Sequence, residues 1–596
     1  MGGAIENNRG QDGGGVYANS TLALTATRVV SNTALQGGWA GGAYASDAAS
    51  LNGAVFQGNT SAARGGGLYV EGELTLTDTQ FISNTANEGG GVNARDIVNV
   101  TGGAFIGNRG NTKHGGLYAR GALTLADTRF IGNSSDGDGG GVFADDGATV
   151  ERGLFQDNRS GGNGGGGGLY VYYKLELTGT QFIGNIAKVG GGLSIRCCNT
   201  SRVVNALFAA NQADAKRGLD IYVGDATLSL VHTTIASPTI ASGSAVYGDD
   251  QAAVFMTNTL IASHTIGIDA SAITAGDWNT LFDNVTTPYS GTVISMGGIT
   301  GTAGFVNPMA ADYHLSLGSA ALDAGIDAGV YADFDGQVRP QGAGFDIGYD
   351  ELPAWLITPT AGANGSITPV APQTVNTGGT AIFAITPDTG YHVVDVGADG
   401  VSQGELQVYT FTNVTADHTI TATFAINTYT ITPTAGANGS ITPGTPQTVN
   451  YSGTAAFTIT PDTGYHVVDV RVDGVSQGAL QGYTFTNVTA DHTITAAFGI
   501  NTYTLTMTTT AFIVNASAPT VTTPGAGSAG VTPTVGANPF SYGSVIMLGA
   551  AAQAGWAFSG WSGDADCTDG VVTMTADTSC AARFETRATF VPRVLR

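Results

Sequence analysis

The residues of this chain whose types could do chemistry are acid pairs, histidines, cysteines and a few lysines. Asp333-Phe334-Asp335-Gly336 sets two carboxylates two positions apart in a glycine-containing string. A hard cation such as calcium takes several carboxylate and carbonyl oxygens at once, so Asp333 and Asp335 are the candidate calcium ligands. With only two acids close together, the string reads better as a capped turn. Asp145-Asp146 and Asp249-Asp250 are adjacent acids. Successive strand residues point to opposite faces, so neither pair converges on one substrate. Four of the eight histidines form duplicated pairs, His392/His466 and His418/His492, which suits structural positions copied with their surroundings. His114, between Lys113 and a glycine corner, reads as an exposed turn. The four lysines fall between 113 and 216 and gather no basic cluster. Polysaccharide cleavage needs paired carboxylates that activate a water, or a base beside calcium-bound acids. No such constellation is visible, and no catalytic residue is assigned.

Whatever these residues do, a repetitive β-fold must position them. Of 596 residues 90 are glycine and only 11% are charged, while Thr, Val and Ala abound. That composition favours strands over helices. Lys+Arg total 22 against Asp+Glu 46, a net charge of -24, which repels nucleic acid and anionic membrane. No apolar run is long enough for a transmembrane helix.

An apolar residue followed three places later by asparagine recurs from Val29/Asn32 through Phe56/Asn59, Phe81/Asn84, Phe105/Asn108, Phe130/Asn133, Phe155/Asn158, Phe182/Asn185 and Phe208/Asn211. The asparagines are spaced by 27, 25, 24, 25, 25, 27 and 26 residues. A glycine run before an apolar pair falls between them, as in Gly65-Gly66-Gly67-Leu68-Tyr69. This period suits one coil of a parallel β-solenoid, three short strands stacked about 4.8 Å on the next coil. The phenylalanines then pile inside the tube. The asparagines tolerate a left-handed turn and pass amide hydrogen bonds from coil to coil. The glycine runs mark corners where a side chain does not fit or φ is positive. Leu22/Leu24, Leu74/Leu76, Leu123/Leu125 and Leu175/Leu177 alternate as strands with one face inward. From about 218 the period blurs, but strand-like runs continue.

Gly2-Gly3-Ala4-Ile5 and the repeated Phe-x-x-Asn resemble the repeats of chlamydial polymorphic outer-membrane proteins, β-helical passengers of adhesins. Asp312-Tyr313-His314-Leu315, Ala321-Leu322-Asp323-Ala324-Gly325, Asp333-Phe334-Asp335-Gly336, Arg339-Pro340 and Asp346-Ile347-Gly348 are similar to the closing segment of bacterial surface β-helix proteins with a choice-of-anchor region. That resemblance, over 305–351, implies a capped solenoid end and a secreted or cell-surface setting. Behind it, ITPTAGANGSITP occurs at 357–369 and again at 431–443, an offset of 74 that holds to Phe424 and Phe498. A third, degenerate copy carries Gly555-Trp556-Ala557-Phe558 and ends at Phe584. These modules resemble the divergent internalin-B-type B-repeats of bacterial surface proteins, which implies a spacer or interaction role. Related modules often carry a cysteine pair, so Cys567 and Cys580 read as a structural disulfide, with two buried thiols as the alternative. Cys197-Cys198 sit where sibling coils have Arg95-Asp96 and Asp145-Asp146, and read as a loop pair or a vicinal disulfide.

The expected architecture is an all-β chain: a right-handed parallel β-helix over 1–350, of about fourteen coils, closed by 305–351. Modules follow at 354–426, 427–500 and 501–586, with a short tail at 587–596. Met1 falls inside a coil without a signal segment, so the expectation is of a fragment of a longer exported protein. The expected function is a non-catalytic secreted or cell-surface adhesive or structural protein of a bacterium, touching an extracellular glycan or a matrix or cell-surface protein. It needs no cofactor beyond a possible structural calcium. A polysaccharide lyase or hydrolase on the same scaffold is the alternative, although the Gly-His-Gly and Arg-Ile-Lys strings of pectin-cleaving β-helices do not occur. A bare spacer is the third reading.

Overall fold

The computed structural model describes residues 3–196, 199–213, 217–249, 251–514, 527–531 and 538–587. Cys197-Cys198, Asp250 and tail residues 588–596 lie outside them. The chain divides into two compact units, 1–359 with 371–383 and 410–419, and 360–370 with 384–409 and 420–596. The first holds a parallel β-solenoid of about eleven turns. One coil shows the plan. Strands Leu68–Val70, Leu74–Thr77 and Gln80–Ile82 pair in parallel with Val92–Ala94, Val98–Thr101 and Ala104–Ile106 of the next coil. A fourth short strand, Thr85–Glu88, pairs with Arg109–Lys113.

The phenylalanines stack where the period placed them. Phe56, Phe81, Phe105, Phe130, Phe155, Phe182 and Phe208 are fully buried, and their successive ring centroids lie 4.6–5.1 Å apart. The ring spacing matches the spacing of paired strands, so each ring packs on its copy without strain. The left-handed turn, however, belongs not to the asparagines but to the residue before each: Gly58, Ser83, Gly107, Gly132, Asp157, Gly184 and Ala210 all have positive φ. That residue turns the chain so that the asparagine side chain points inward. At the glycine corner both expected reasons apply at successive positions. Gly65 has φ +55, and a Cβ on Gly66 would lie 2.2 Å from the Gly90 carbonyl oxygen.

Beyond 218 the coils continue, with Ile235 and Ile261 in register with Phe208. The motif blurs because isoleucine replaces phenylalanine, not because the winding stops. The winding does stop short of 350, and residues 301–351 do something other than plug an end. Tyr313, Leu315, Ile347 and Tyr349 form a second core with Leu207, Ala209, Ala236, Leu260, Ala262 and Leu281, residues on the outside of the tube. Asn279, Asn258 and Asn205, on successively earlier coils, donate Nδ2–H to the carbonyls of Ala324, Ile326 and Ala332 at 2.6, 2.6 and 2.7 Å. The closing segment therefore runs back along the flank. The physical reason is a change in the outward residues, from Gln80 and Arg129 on earlier coils to Leu207 and Leu260 here. An apolar outer face has to be covered.

The first two small modules each hold a five-stranded and a three-stranded sheet. In the second, Thr428–Ala435 lies between Gln447–Asn450 and His492–Ile500, followed by Tyr465–Val472 and Val475–Gly478. A three-stranded sheet of Gly439–Thr442, Ala455–Pro461 and Gly482–Phe485 completes it. Ile431, Phe457, Val470 and Ile494 fill the space between. The third module closes with Thr578–Arg587 and holds a disulfide between buried Cys567 and Cys580. The joints between modules repeat as well. Asn427 N–H donates to the Gly390 carbonyl, and Asn501 N–H to that of Gly464. Tyr451 and Tyr542 lie so close over those glycines that a Cβ there would meet the ring at 2.2 and 2.1 Å. His392 and His466 reach Asn427 and Asn501 Oδ1 at 2.8 and 2.9 Å. That duplicated histidine pair is a joint.

Candidate functional site

The predicted stack residues are scaffold, and they form one continuous polar chain. Asn32 N–H and Nδ2–H both donate to Asn59 Oδ1, at 3.0 Å each, and the pattern repeats through Asn84, Asn108, Asn133, Asn158 and Asn185 to Asn211. Each Nδ2 also donates to a carbonyl of the preceding coil, that of Ile5 for Asn32, of Val29 for Asn59 and of a phenylalanine for the rest. The ladder does not end on a hydrophobic residue. Asn211 Nδ2–H donates to Asp220 Oδ1 at 2.9 Å, and Asp220 Oδ2 lies 2.9 Å from His264 Nε2, both side chains being buried. Asp220 takes the place of the last glycine of a corner run, in register with Gly192, and that substitution is the signal sequence reading passed over.

His114 departs from its expected exposed turn. It takes the positive-φ corner position (φ 56) that Gly65, Gly89 and Gly139 hold elsewhere, and is 7% exposed. Its ring lies 4.5 Å from Tyr118 and 4.4 Å from Phe143, with Nδ1 buried and unpartnered. Burial, reinforced by Lys113, pulls its pKa down to about 3. A histidine held neutral in the fold but protonated in the unfolded chain loses stability as pH falls through about 6.5 toward that value. His114→Gly, which the corners at Gly65, Gly89 and Gly139 show to fit, should therefore reduce the loss of stability between pH 7 and pH 5 by about 2 kcal/mol. Denaturant titrations at the two pH values check this.

The outward-facing residues of the first strand column form an aromatic row. Tyr17, Tyr44 and Tyr69 are in register and stacked at 4.9 and 5.7 Å. Trp39 sets its edge against Tyr69 at 5.1 Å and stays 38% exposed, with the Arg64 guanidinium 5.5 Å from its ring. Arg64 Nε–H donates to Glu88 Oε2 at 3.0 Å, and Tyr69 O–H to Glu71 Oε1 at 2.7 Å. Trp39, Arg64, Asn87, Glu88 and Thr112 line an open cleft of about 560 Å³. An aromatic edge flanked by planar polar groups is suited to a ligand with apolar faces and hydroxyl rims. Sequence reading noted Leu68-Tyr69 as an apolar pair but did not turn the tyrosine outward.

The two calcium candidates part company on the flank. Asp333 is buried and both its oxygens accept backbone hydrogen bonds, from Gln337 N–H at 2.7 Å and Glu351 N–H at 3.0 Å. Asp335 instead faces His314, whose Nε2 lies 2.9 Å from Asp335 Oδ2 and whose Nδ1 lies 2.6 Å from Asp312 Oδ1. Burial pushes Asp350 up to about 6 and Asp346 up to about 7. Partial burial pulls His314 down, but Asp312, Asp350 and Asp335 outweigh it and raise its pKa. Beneath them Arg339, fully buried, donates to Glu351 Oε2 at 2.8 Å and to the Asp346 and Gly348 carbonyls at 3.1 and 2.9 Å.

No helix among the described residues is long and apolar enough to cross a membrane. A search of curated proteins finds no match to the chain. A scan against family models matches residues 356–428, 429–502 and 519–588, a little over a third of the sequence. The three small modules are divergent InlB B-repeat domains, carried behind a parallel β-solenoid.

Proposed function

We propose that this protein is a non-catalytic bacterial surface or secreted adhesin that holds a neutral glycan in the cleft at Trp39. The observation that carries the reading is the cleft itself: an exposed indole against stacked tyrosines, rimmed by Arg64, Asn87, Glu88 and Thr112. Sugar C–H faces pack on aromatic rings, and their hydroxyls pair with amides, carboxylates and guanidinium groups. Glu71, Asp12 and the net charge of -24 disfavour sulfated or uronate chains. Glu88 is held by Arg64 and Glu71 by the Tyr69 hydroxyl, which suits fixed hydrogen-bond partners more than a pair of acids poised to activate water. The surface setting is supported by the B-repeat modules, a type common on bacterial surface proteins.

A neutral-glycan array with the full chain tests this. Binding that falls roughly tenfold or more in Trp39→Ala, with unchanged thermal stability, is the expected result. A reducing-end assay on the glycans that bind should show no turnover, and sustained release would move the protein to the polysaccharide-cleaving class. Absence of binding to every glycan would leave the spacer reading in place of this one.

A further inference from the structure

One cluster of ligating side chains belongs to neither the ladder nor the glycan cleft. His314, Asp335 and Asp350 each offer one ligand atom, and the three atoms lie within 4.8 Å of one another. A single point therefore lies within about 2.8 Å of all three, and small side-chain rotations bring that to the bond lengths of a bound cation. The residues come from three places in the flank segment. His314 sits on the strand Asp312–Leu315, Asp335 in the loop after Phe334, and Asp350 just behind Tyr349. The imidazole is already oriented, with Nδ1 at 2.6 Å from Asp312 Oδ1 and Nε2 turned to the acids. A carboxylate on one ring nitrogen and a convergent ligand set on the other is how proteins fix a metal-binding histidine.

Asp350 is an independent observation. It is 4% exposed, and only one of its oxygens has a hydrogen-bond donor among the described residues, Leu315 N–H at 2.6 Å. A buried carboxylate is costly unless a cation meets it, and the second oxygen of Asp350 is left to meet one. The buried cation nearby, Arg339, gives its hydrogen bonds to Glu351 and to two backbone carbonyls and acts on Asp350 only through space.

We propose that His314, Asp335 and Asp350 bind one divalent first-row transition-metal ion, for which zinc is the probe, with Asp312 orienting the imidazole. The ligand set decides against calcium. Calcium takes roughly six to eight oxygens, whereas this site presents an imidazole nitrogen, and the oxygens of neighbouring Asp333 are occupied by backbone N–H groups. One nitrogen and two carboxylates, with a water completing the shell, suit zinc or a similar ion. Such an ion would tie three segments of the flank cover together.

The experiment uses the full chain, stripped with chelator, dialysed and titrated with zinc chloride by calorimetry near neutral pH. One saturable site per chain and a higher melting temperature of the solenoid unit are expected. Asp335→Asn, at an exposed position, should weaken zinc binding roughly tenfold or more while leaving the metal-free melting temperature unchanged. His314→Gln should do the same to binding. Unchanged zinc affinity in both variants overturns the proposal, as does the absence of saturable binding by the wild type. Calcium that displaces zinc at equal concentration overturns the choice of metal class. The outcome is independent of whether the cleft at Trp39 binds glycan.

Discussion

Asn133→Leu should lower the stability of the solenoid unit by roughly 3–6 kcal/mol, although leucine fills nearly the same volume and is more apolar. The loss comes from the partners left behind. Asn133 Oδ1 accepts from Asn108 N–H at 3.0 Å and Asn108 Nδ2–H at 2.9 Å, and its own Nδ2–H satisfies the Phe105 carbonyl at 2.8 Å. Asn108 and Asn133 are fully buried, so water cannot replace these bonds. Three orphaned groups at about 1–3 kcal/mol each outweigh the added apolar burial. Differential scanning calorimetry should show the solenoid transition moving down while the B-repeat transition stays put. A loss under about 1 kcal/mol would mean that the amides are passengers and the phenylalanine column alone holds the coils together.

The second large effect is expected at Arg339→Leu, at roughly 3–5 kcal/mol. Glu351 is fully buried and accepts from Arg339 at 2.8 Å, while Asp346, Asp350 and Asp333 all lie near enough to act on the guanidinium. Without it, four acids share a dry site with no cation beneath them. The Asp346 and Gly348 carbonyls also lose their donors. The same calorimetric scan checks this, and limited proteolysis between 323 and 351 should reveal the loosened flank. A variant as stable as the wild type would show that the acids are protonated in the fold and need no counter-charge.

The solenoid was legible because its signal is local and repeated: one Phe-x-x-Asn per coil, seven times over from Phe56 to Phe208, cannot arise from unrelated elements. Three things escaped for physical reasons. Asparagine's known tolerance of left-handed turns drew attention to Asn59 and its copies, when the preceding residue makes the turn and so frees the amide to point inward. The flank cover is held by contacts such as Asn205 to Ala332 and Asn258 to Ile326, separated by 127 and 68 residues, which no periodicity encodes. It did leave a trace. Leu207-Phe208-Ala209 and Leu260-Ile261-Ala262 are apolar on both faces, where Gln80-Phe81-Ile82 has a polar outer residue. The pairing of Asp333 with Asp335 by proximity in sequence was the third. One serves the backbone, and the other meets His314 from 21 residues away. The cleft at Trp39 depends on residues from several coils, and only the tyrosine row behind the indole recurs with the coil period.

The joints at Gly390/Tyr451 and Gly464/Tyr542 have an evolutionary consequence. The middle B-repeat supplies Tyr451 to the joint with its predecessor and Gly464 to the joint with its successor, so plug and socket are inherited together. Unequal crossing-over between the near-identical segments that encode the first two copies adds or deletes a copy without any new interface having to evolve. Module number would then drift between strains far faster than the solenoid's coil sequence, and counting copies across isolates would reveal it.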